Sequence, residues 1–300
     1  MHILLPPVRS IAPGFRVLCC ALTLFGLAPQ SALAQTERLE LEKVYRSWVA
    51  AMNTGNFRAW QECTASHRQA ITYNMVVSRR GQWPQSFFQL PFRLPEIGTL
   101  SHLSTLQKGD TANLIYYGRV DFGLEGQVPP DNLILLSFVK EKTGWKFDNT
   151  RFFNLSGDPD VRHKAQLGDT SFLTDPQFQP SGVVPPTQQK VPVPDYAGDL
   201  WVVSHGYETT IRIGNAHETV VKDEERTDAI LGGLSRDGLP ITVTAKEIES
   251  DKERVLAVEV YALRPGKKAA KVWEYRPKKD ADVSKYQSKV WANAVTIPGG

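Results

Sequence analysis

His67, Tyr73, His102, Tyr116, Asp121 and Asp148 are among the side chains in the first half of this chain whose types could move a proton. Imidazole titrates near neutrality, and carboxyl and phenol groups are shifted when an apolar pocket surrounds them. Acid–base work also needs a partner placed within hydrogen-bond reach. Tyr116 alternates with Leu114, Val120 and Phe122 on an apolar strand face, so its ring is expected to point inward and its hydroxyl to reach a backbone group. His67 follows a helix start and His102 sits on a strand, which puts each at a rim as a surface or satisfied core histidine. Asp121 and Asp148 fall on polar strand faces, where carboxylates are solvated by default. The catalytic candidates are therefore Tyr116, His67, His102 and Asp148.

Other chemistries lack their residues. Cys63 has no local nucleophile signature and is expected to pack. His205 and His217 flank a hairpin, but two histidines fall short of the three or four ligands a zinc site takes, so neither a metal nor a cofactor is expected. The sequence has no Gly-rich phosphate loop, serine-hydrolase elbow, His-Glu-x-x-His or Cys-x-x-Cys. Asn154-Leu155-Ser156 fits a glycosylation sequon by pattern alone.

The elements that must position these groups follow from periodicity. Leu41, Val44, Tyr45, Trp48, Val49 and Met52 recur three and four apart and predict an amphipathic helix, with Glu42, Lys43, Arg46 and Ser47 on its wet side. Gly55 is placed to end it, Asn56 to cap a short helix carrying Phe57 and Trp60, and Ser66 with Gln69 fits a capping box for a third whose apolar side includes Ile71 and Met75. Residues 99–106, 112–122, 132–140 and 145–153 alternate as antiparallel strands joined by Gly-containing turns, a curved meander with a bend or bulge at Gly118.

Helix 41–52, the break at Asn53-Thr54-Gly55-Asn56, the capped helix from Ser66 and a terminal strand opening Gly144-Trp145-Lys146-Phe147-Asp148 together resemble the nuclear transport factor 2-like superfamily. The resemblance implies an α+β cone, with helices packed on a curved antiparallel sheet. It also implies either acid–base catalysis in the cone or noncatalytic binding and dimerisation. Trp48, Tyr116 and Trp145 are the expected cone lining.

Six prolines between Gly168 and Gly198 predict a semi-rigid exposed spacer. Beyond it, Ile211 with Ile213, Ile241 with Val243, and Leu256 with Val258 and Val260 supply inward faces at period two, as in a small all-β sandwich. That part resembles accessory β-sandwiches of secreted bacterial proteins, some of which bind carbohydrate. Tyr286, Val290 and Trp291 in the tail are compatible with one short docked helix. Lys267, Lys268 and Lys271 read as a solvated hairpin edge.

Arg9 and Arg16 precede an apolar run, and Ser31-Ala32-Leu33-Ala34 supplies a small-residue cleavage site before Gln35, so the chain is read as exported, to the periplasm or beyond. Cleavage there removes two of the 35 basic residues and none of the 32 acidic ones, a balance that gives no drive toward nucleic acid. No later run is long enough to span a bilayer. The expected organisation is a leader at 1–34, a nuclear transport factor 2-like domain at 35–167, a proline-rich linker at 168–198, a β-sandwich at 199–280 and a tail at 281–300. The expected function is noncatalytic binding or assembly at the cell envelope, with a small apolar ligand or a protein as partner and any homodimer formed through the first sheet. The alternatives are an isomerase or dehydratase working in the cone, and glycan binding through the sandwich.

Overall fold

The computed structural model describes residues 28–123, 126, 128–278 and 284–292, with side chains from residue 35 onward, so the side chains of the expected leader lie outside it. The described residues form four α-helices and three antiparallel sheets of four strands, a mixed α+β architecture rich in sheet. They divide into two compact units. One holds the residues up to Arg46 with Ile97–Arg119 and Pro130–Gly182; the other holds Ser47–Glu96, Val120–Pro129 and the residues from Val183 on.

The first unit contains the N-terminal part of α1 (Ala28–Thr54), the meander β1 (Ser101–Lys108), β2 (Thr111–Arg119), β3 (Asp131–Glu141) and β4 (Gly144–Asn154), and later α4 (Pro159–Leu167). The order is β1-β2-β3-β4, as the turn signals predict. Tyr116 stands opposite Ile134, and Leu114 opposite Leu136, on the face that α1 covers with Leu41 and Tyr45. The Tyr45 ring lies 5.4 Å from that of Phe147, which lies 5.8 Å from Phe138. Ile115, Leu133 and Leu135 point to the other face and pack with Leu155, Ala165, Leu173 and Phe178. Both faces of the central strands are thus covered, which explains why residues 111–116 are buried without alternation.

Several expectations need correcting in this unit. Gly118 pairs with Asn132 in regular register, and the bulges lie instead between His102 and Ser104 and between Ser137 and Phe138. A Cβ at Gly118 would stand 2.7 Å from Leu100 Cδ2, so a side chain there would make the end of Leu100 shift. Helix α4 was not expected, although Asp158 caps it by accepting from Val161 N at 3.0 Å, Pro159 opens it and Gly168 closes it at φ 72°.

In the second unit, α2 (Phe57–Cys63) is capped by Asn56 as predicted, with Oδ1 accepting from Ala59 N at 3.1 Å. The capping box on α3 (Ser66–Ser78) does not form. Ala65 is the N-cap, and the Gln69 amide donates instead to the carbonyls of Gln61 and Thr64. Met75 is exposed, and the buried side of α3 is largely polar: His67, Thr72, Asn74 and Ser78. Asn74 explains this choice, because its amide donates to Gln189 O and accepts from Val191 N, both at 2.9 Å. The proline-rich stretch is therefore anchored to α3, with Val191 and Pro194 buried, whereas an exposed spacer was expected.

Two further sheets complete this unit: β11-β10-β5-β8 and β12-β9-β6-β7. The strands are β5 (Ala197–His205), β6 (Tyr207–Ile213), β7 (His217–Lys222), β8 (Glu225–Ala229), β9 (Leu239–Glu247), β10 (Val255–Leu263), β11 (Ala270–Tyr275) and β12 (Lys285–Val290). Ile211, Ile213, Ile241, Val243, Leu256, Val258 and Val260 all enter one apolar cluster shared by both sheets, the faces that period-two spacing picks out. The expected tail helix is instead β12, an edge strand paired with β9 from Lys285 opposite Thr244 to Val290 opposite Leu239.

Candidate functional site

Alternation along β10 sends Val258 and Val260 into the shared cluster and leaves Glu259 and Tyr261 on the opposite face of their sheet. The same rule on β5 buries Leu200 and Val202 and turns Asp199 and Trp201 outward. Pairing then fixes the neighbours: Trp201 stands between Glu259 and Thr227, and Asp199 stands beside Tyr261. These side chains, with Arg276 reaching back after β11, line a cavity of about 340 Å³ on the sheet face. That volume falls within the range of small-molecule sites, about 300–1,000 Å³.

Glu259 is the centre of the charge arrangement. Only 5% of it is exposed, although it points away from the apolar cluster. Arg276 Nη2 donates to Glu259 Oε1 at 2.5 Å, Lys271 Nζ stands 3.4 Å from the same oxygen, and the Tyr261 hydroxyl donates to Oε2. Burial pushes the carboxyl up, but the donated hydrogen bonds of Tyr261 and Arg276 outweigh it and hold the group below the ordinary carboxylate range. Glu259 in turn raises both the Tyr261 phenol and the Arg276 guanidinium. The guanidinium also lies 5.7 Å from the Trp201 ring centre, and the indole N–H donates to Glu225 Oε1 at 2.7 Å. Asp199 is paired with Arg79 at 2.6 Å. Every formal charge in the lining is thus answered within the unit. What the cavity presents is an aromatic surface beside fixed donors and acceptors.

The acid–base candidates meet a different fate. In the first unit the Tyr116 hydroxyl reaches not a backbone group but Glu42 Oε1, at 2.8 Å, and Glu42 lies buried rather than on the wet side of α1. Arg38 donates to the same oxygen at 2.7 Å and Arg46 to Oε2 at 3.3 Å. Burial opposes the Glu42 charge, yet the bonds from Arg38, Tyr116 and Arg46 keep its carboxyl below the usual range. Burial, followed by the Glu42 contact, raises the Tyr116 phenol far above its ordinary value. His102 stacks edge-on to Tyr116 at 5.4 Å, its Nε2 is 3.0 Å from Thr105 Oγ1, and burial lowers its pKa. At pH 7 a neutral imidazole therefore lies beside a phenol that keeps its proton and donates it in a hydrogen bond to the Glu42 carboxylate.

The remaining candidates sit on other elements. His67 is buried on α3 and Trp48 packs against the Trp60 cluster, both in the second unit, while Trp145 is buried on β4. Asp148 is the extra residue of the β4 bulge and is half-buried, and Asp121 is exposed. Cys63 is buried, and its thiol donates to Trp60 O at 3.5 Å. His205 ends β5 whereas His217 opens β7 in the other sheet, and His217 Nδ1 accepts from Leu231 N at 3.2 Å. Among the described residues, no three His, Cys, Asp or Glu side chains converge as metal ligands, and no helix is long and apolar enough to cross a membrane.

Sequence reasoning missed Glu42 and Glu259. Glu42 sits one residue from Leu41 and three from Tyr45, so it borders the apolar stripe, and only its place in that stripe could have marked it. Glu259 interrupts an otherwise apolar run, Leu256 to Leu263, which is a legible signal for a carboxylate on the second face of a buried strand. Compared with protein-family profiles, with curated proteins and with solved structures, the chain finds no match.

Proposed function

We propose that the chain is a noncatalytic binding or assembly protein exported to the cell envelope, in which residues 35–167 form a nuclear transport factor 2-like cone and the two later sheets form a β-sandwich contact module. The observation that carries this reading is the state of Tyr116: 1% exposed, its hydroxyl committed to Glu42, in a network with two arginines. A general acid or base must exchange its proton with a substrate, and Tyr116 and Glu42, 1% and 7% exposed and bonded to each other, are arranged to hold the fold rather than to meet one. The open, aromatic and polar cavity lies elsewhere, on the outer face of the β5–β10 pair.

That cavity favours the glycan reading over a charged partner. Its acids are answered by Arg276, Lys271 and Arg79, so neither a cation nor an anion gains a net attraction, whereas a neutral ring bearing hydroxyls can lie on Trp201 and exchange hydrogen bonds with Thr227, Tyr261 and Asp199. A second copy meets a first sheet whose central strands are already covered on both faces, so self-association would have to use the edge of β1 or β4. The test is calorimetric titration of the chain with neutral envelope oligosaccharides, followed by mass analysis of the recovered ligand. Saturable heat with the ligand intact supports the reading; conversion of the ligand that Tyr116→Phe abolishes replaces it with the isomerase or dehydratase alternative.

A further inference from the structure

A second, more enclosed cavity of about 140 Å³ lies between α2, α3 and the proline-rich stretch, wholly within the second unit. Its walls are aromatic. The Trp83 ring meets Phe57 edge-on at 5.6 Å and Tyr73 edge-on at 5.5 Å, and it lies 5.8 Å from Trp60. Edge-to-face packing of this kind holds each ring in place, so the box is preformed. Phe57, Tyr73 and Trp83 are half-buried and leave ring surface open to the cavity, while the buried Trp60 keeps an indole N–H that meets no acceptor in the fold.

The rim decides the charge of the occupant. It carries amides and hydroxyls, and the lining holds one formal charge, Lys190, whose ammonium lies 5.0 Å from the centre of the Tyr73 ring; no carboxylate is present. A cationic guest would compete with Lys190 for the same aromatic face and find no counter-charge. An engineered apolar cavity of about 150 Å³ admits benzene, so this one holds a single arene of that size. An arene with a carboxylate one to three bonds from the ring would fill the box and pair with Lys190 at its mouth.

We propose that this pocket binds a small aromatic carboxylate, a chemistry offered equally by a free aryl acid and by the C-terminal aromatic residue of a peptide. The site is independent of the sheet-face cavity. The test is calorimetric titration of the full chain with phenylacetate, phenylacetamide, benzyltrimethylammonium and a tripeptide ending in Phe, as free acid and as amide. Saturable binding of phenylacetate, about fivefold tighter than phenylacetamide, is expected, since an exposed ion pair contributes about that much. Lys190→Met, a change on an exposed stretch that keeps the aliphatic stem, should level the two ligands, and Tyr73→Leu should weaken both. Trp201→Ala should change neither, which separates this site from the sheet-face reading. Tighter binding of the free-acid peptide than of phenylacetate assigns the source to peptide termini, and the reverse assigns it to free aryl acids. Equal affinity for phenylacetate and phenylacetamide in the unaltered chain, tighter binding of benzyltrimethylammonium, or no saturable binding up to about 10 mM overturns the proposal.

Discussion

Removing the Tyr116 hydroxyl tests how the first unit is held. Both partners of the bond are nearly sealed, Tyr116 at 1% and Glu42 at 7% exposure. A hydrogen bond to a charged group contributes about 1.5–3 kcal/mol, so Tyr116→Phe is expected to cost about 2 kcal/mol. Glu42→Leu leaves the phenol buried without an acceptor, at about 1–3 kcal/mol. Its ion pairs add little, because the side chains of Arg38 and Arg46 are 37% and 59% exposed and solvent screens them. The double variant removes donor and acceptor together, so its loss should fall short of the sum by about 1–2 kcal/mol. Native-state hydrogen exchange at the β2 and β3 amides reads this unit by itself. Additive losses, or a neutral Tyr116→Phe, would refute the reasoning. The network also sets a pH window. Glu42 titrates below its ordinary value of 4.5, so its contribution is complete above that value and is lost as pH falls through the depressed one. Tyr116 titrates above its ordinary value of 10.0, so its contribution is complete below that pH and is lost as pH rises further. Tyr116→Phe should therefore flatten the alkaline limb and leave the acid limb largely in place.

Three other outcomes are expected. His217 titrates below its ordinary 6.5 because burial disfavours the imidazolium, so the stability it confers is present above that value and is lost as pH falls through the lowered one; His217→Asn should flatten the acid limb in denaturant unfolding below pH 6.5. Asn74→Ala breaks two hydrogen bonds to the proline-rich stretch and leaves the Val191 N–H unpaired, a loss of about 2–4 kcal/mol that limited proteolysis within 183–190 should report as faster cleavage. Gly233→Ala places a Cβ 2.5 Å from Tyr196 O at φ 59°, so it should cost well over the ~1 kcal/mol expected of Gly266→Ala, which has φ 67° but open space, when their thermal midpoints are compared.

What could be read in advance was whatever local periodicity encodes. The four-stranded meander, the Asn56 cap and the inward faces of β6, β9 and β10 follow from spacing and turn residues that act within a few positions. What escaped was set by partners distant in sequence. Glu42 looks solvated beside Lys43 and Arg46 until Tyr116, 74 residues away, supplies a buried donor. Met75 looks like core until Asn74 claims the buried side of α3 through Gln189, 115 residues on. Tyr286 and Val290 suit a helix stripe as well as a strand, and only pairing with β9 decides between them. For the sheet-face cavity, Trp201 and Glu259 were visible as residues, but their adjacency comes from strand register, which no short-range pattern specifies.

The most direct measurement is a titration of the chain with neutral oligosaccharides, following the Trp201 indole N–H resonance, assigned by its loss in Trp201→Phe, and analysing the ligand afterwards. The account predicts a saturable shift of that resonance, at least tenfold weaker binding in Trp201→Ala, and ligand recovered unchanged. Conversion of the ligand, with the Trp201 resonance unmoved and the conversion lost in Tyr116→Phe, would contradict it.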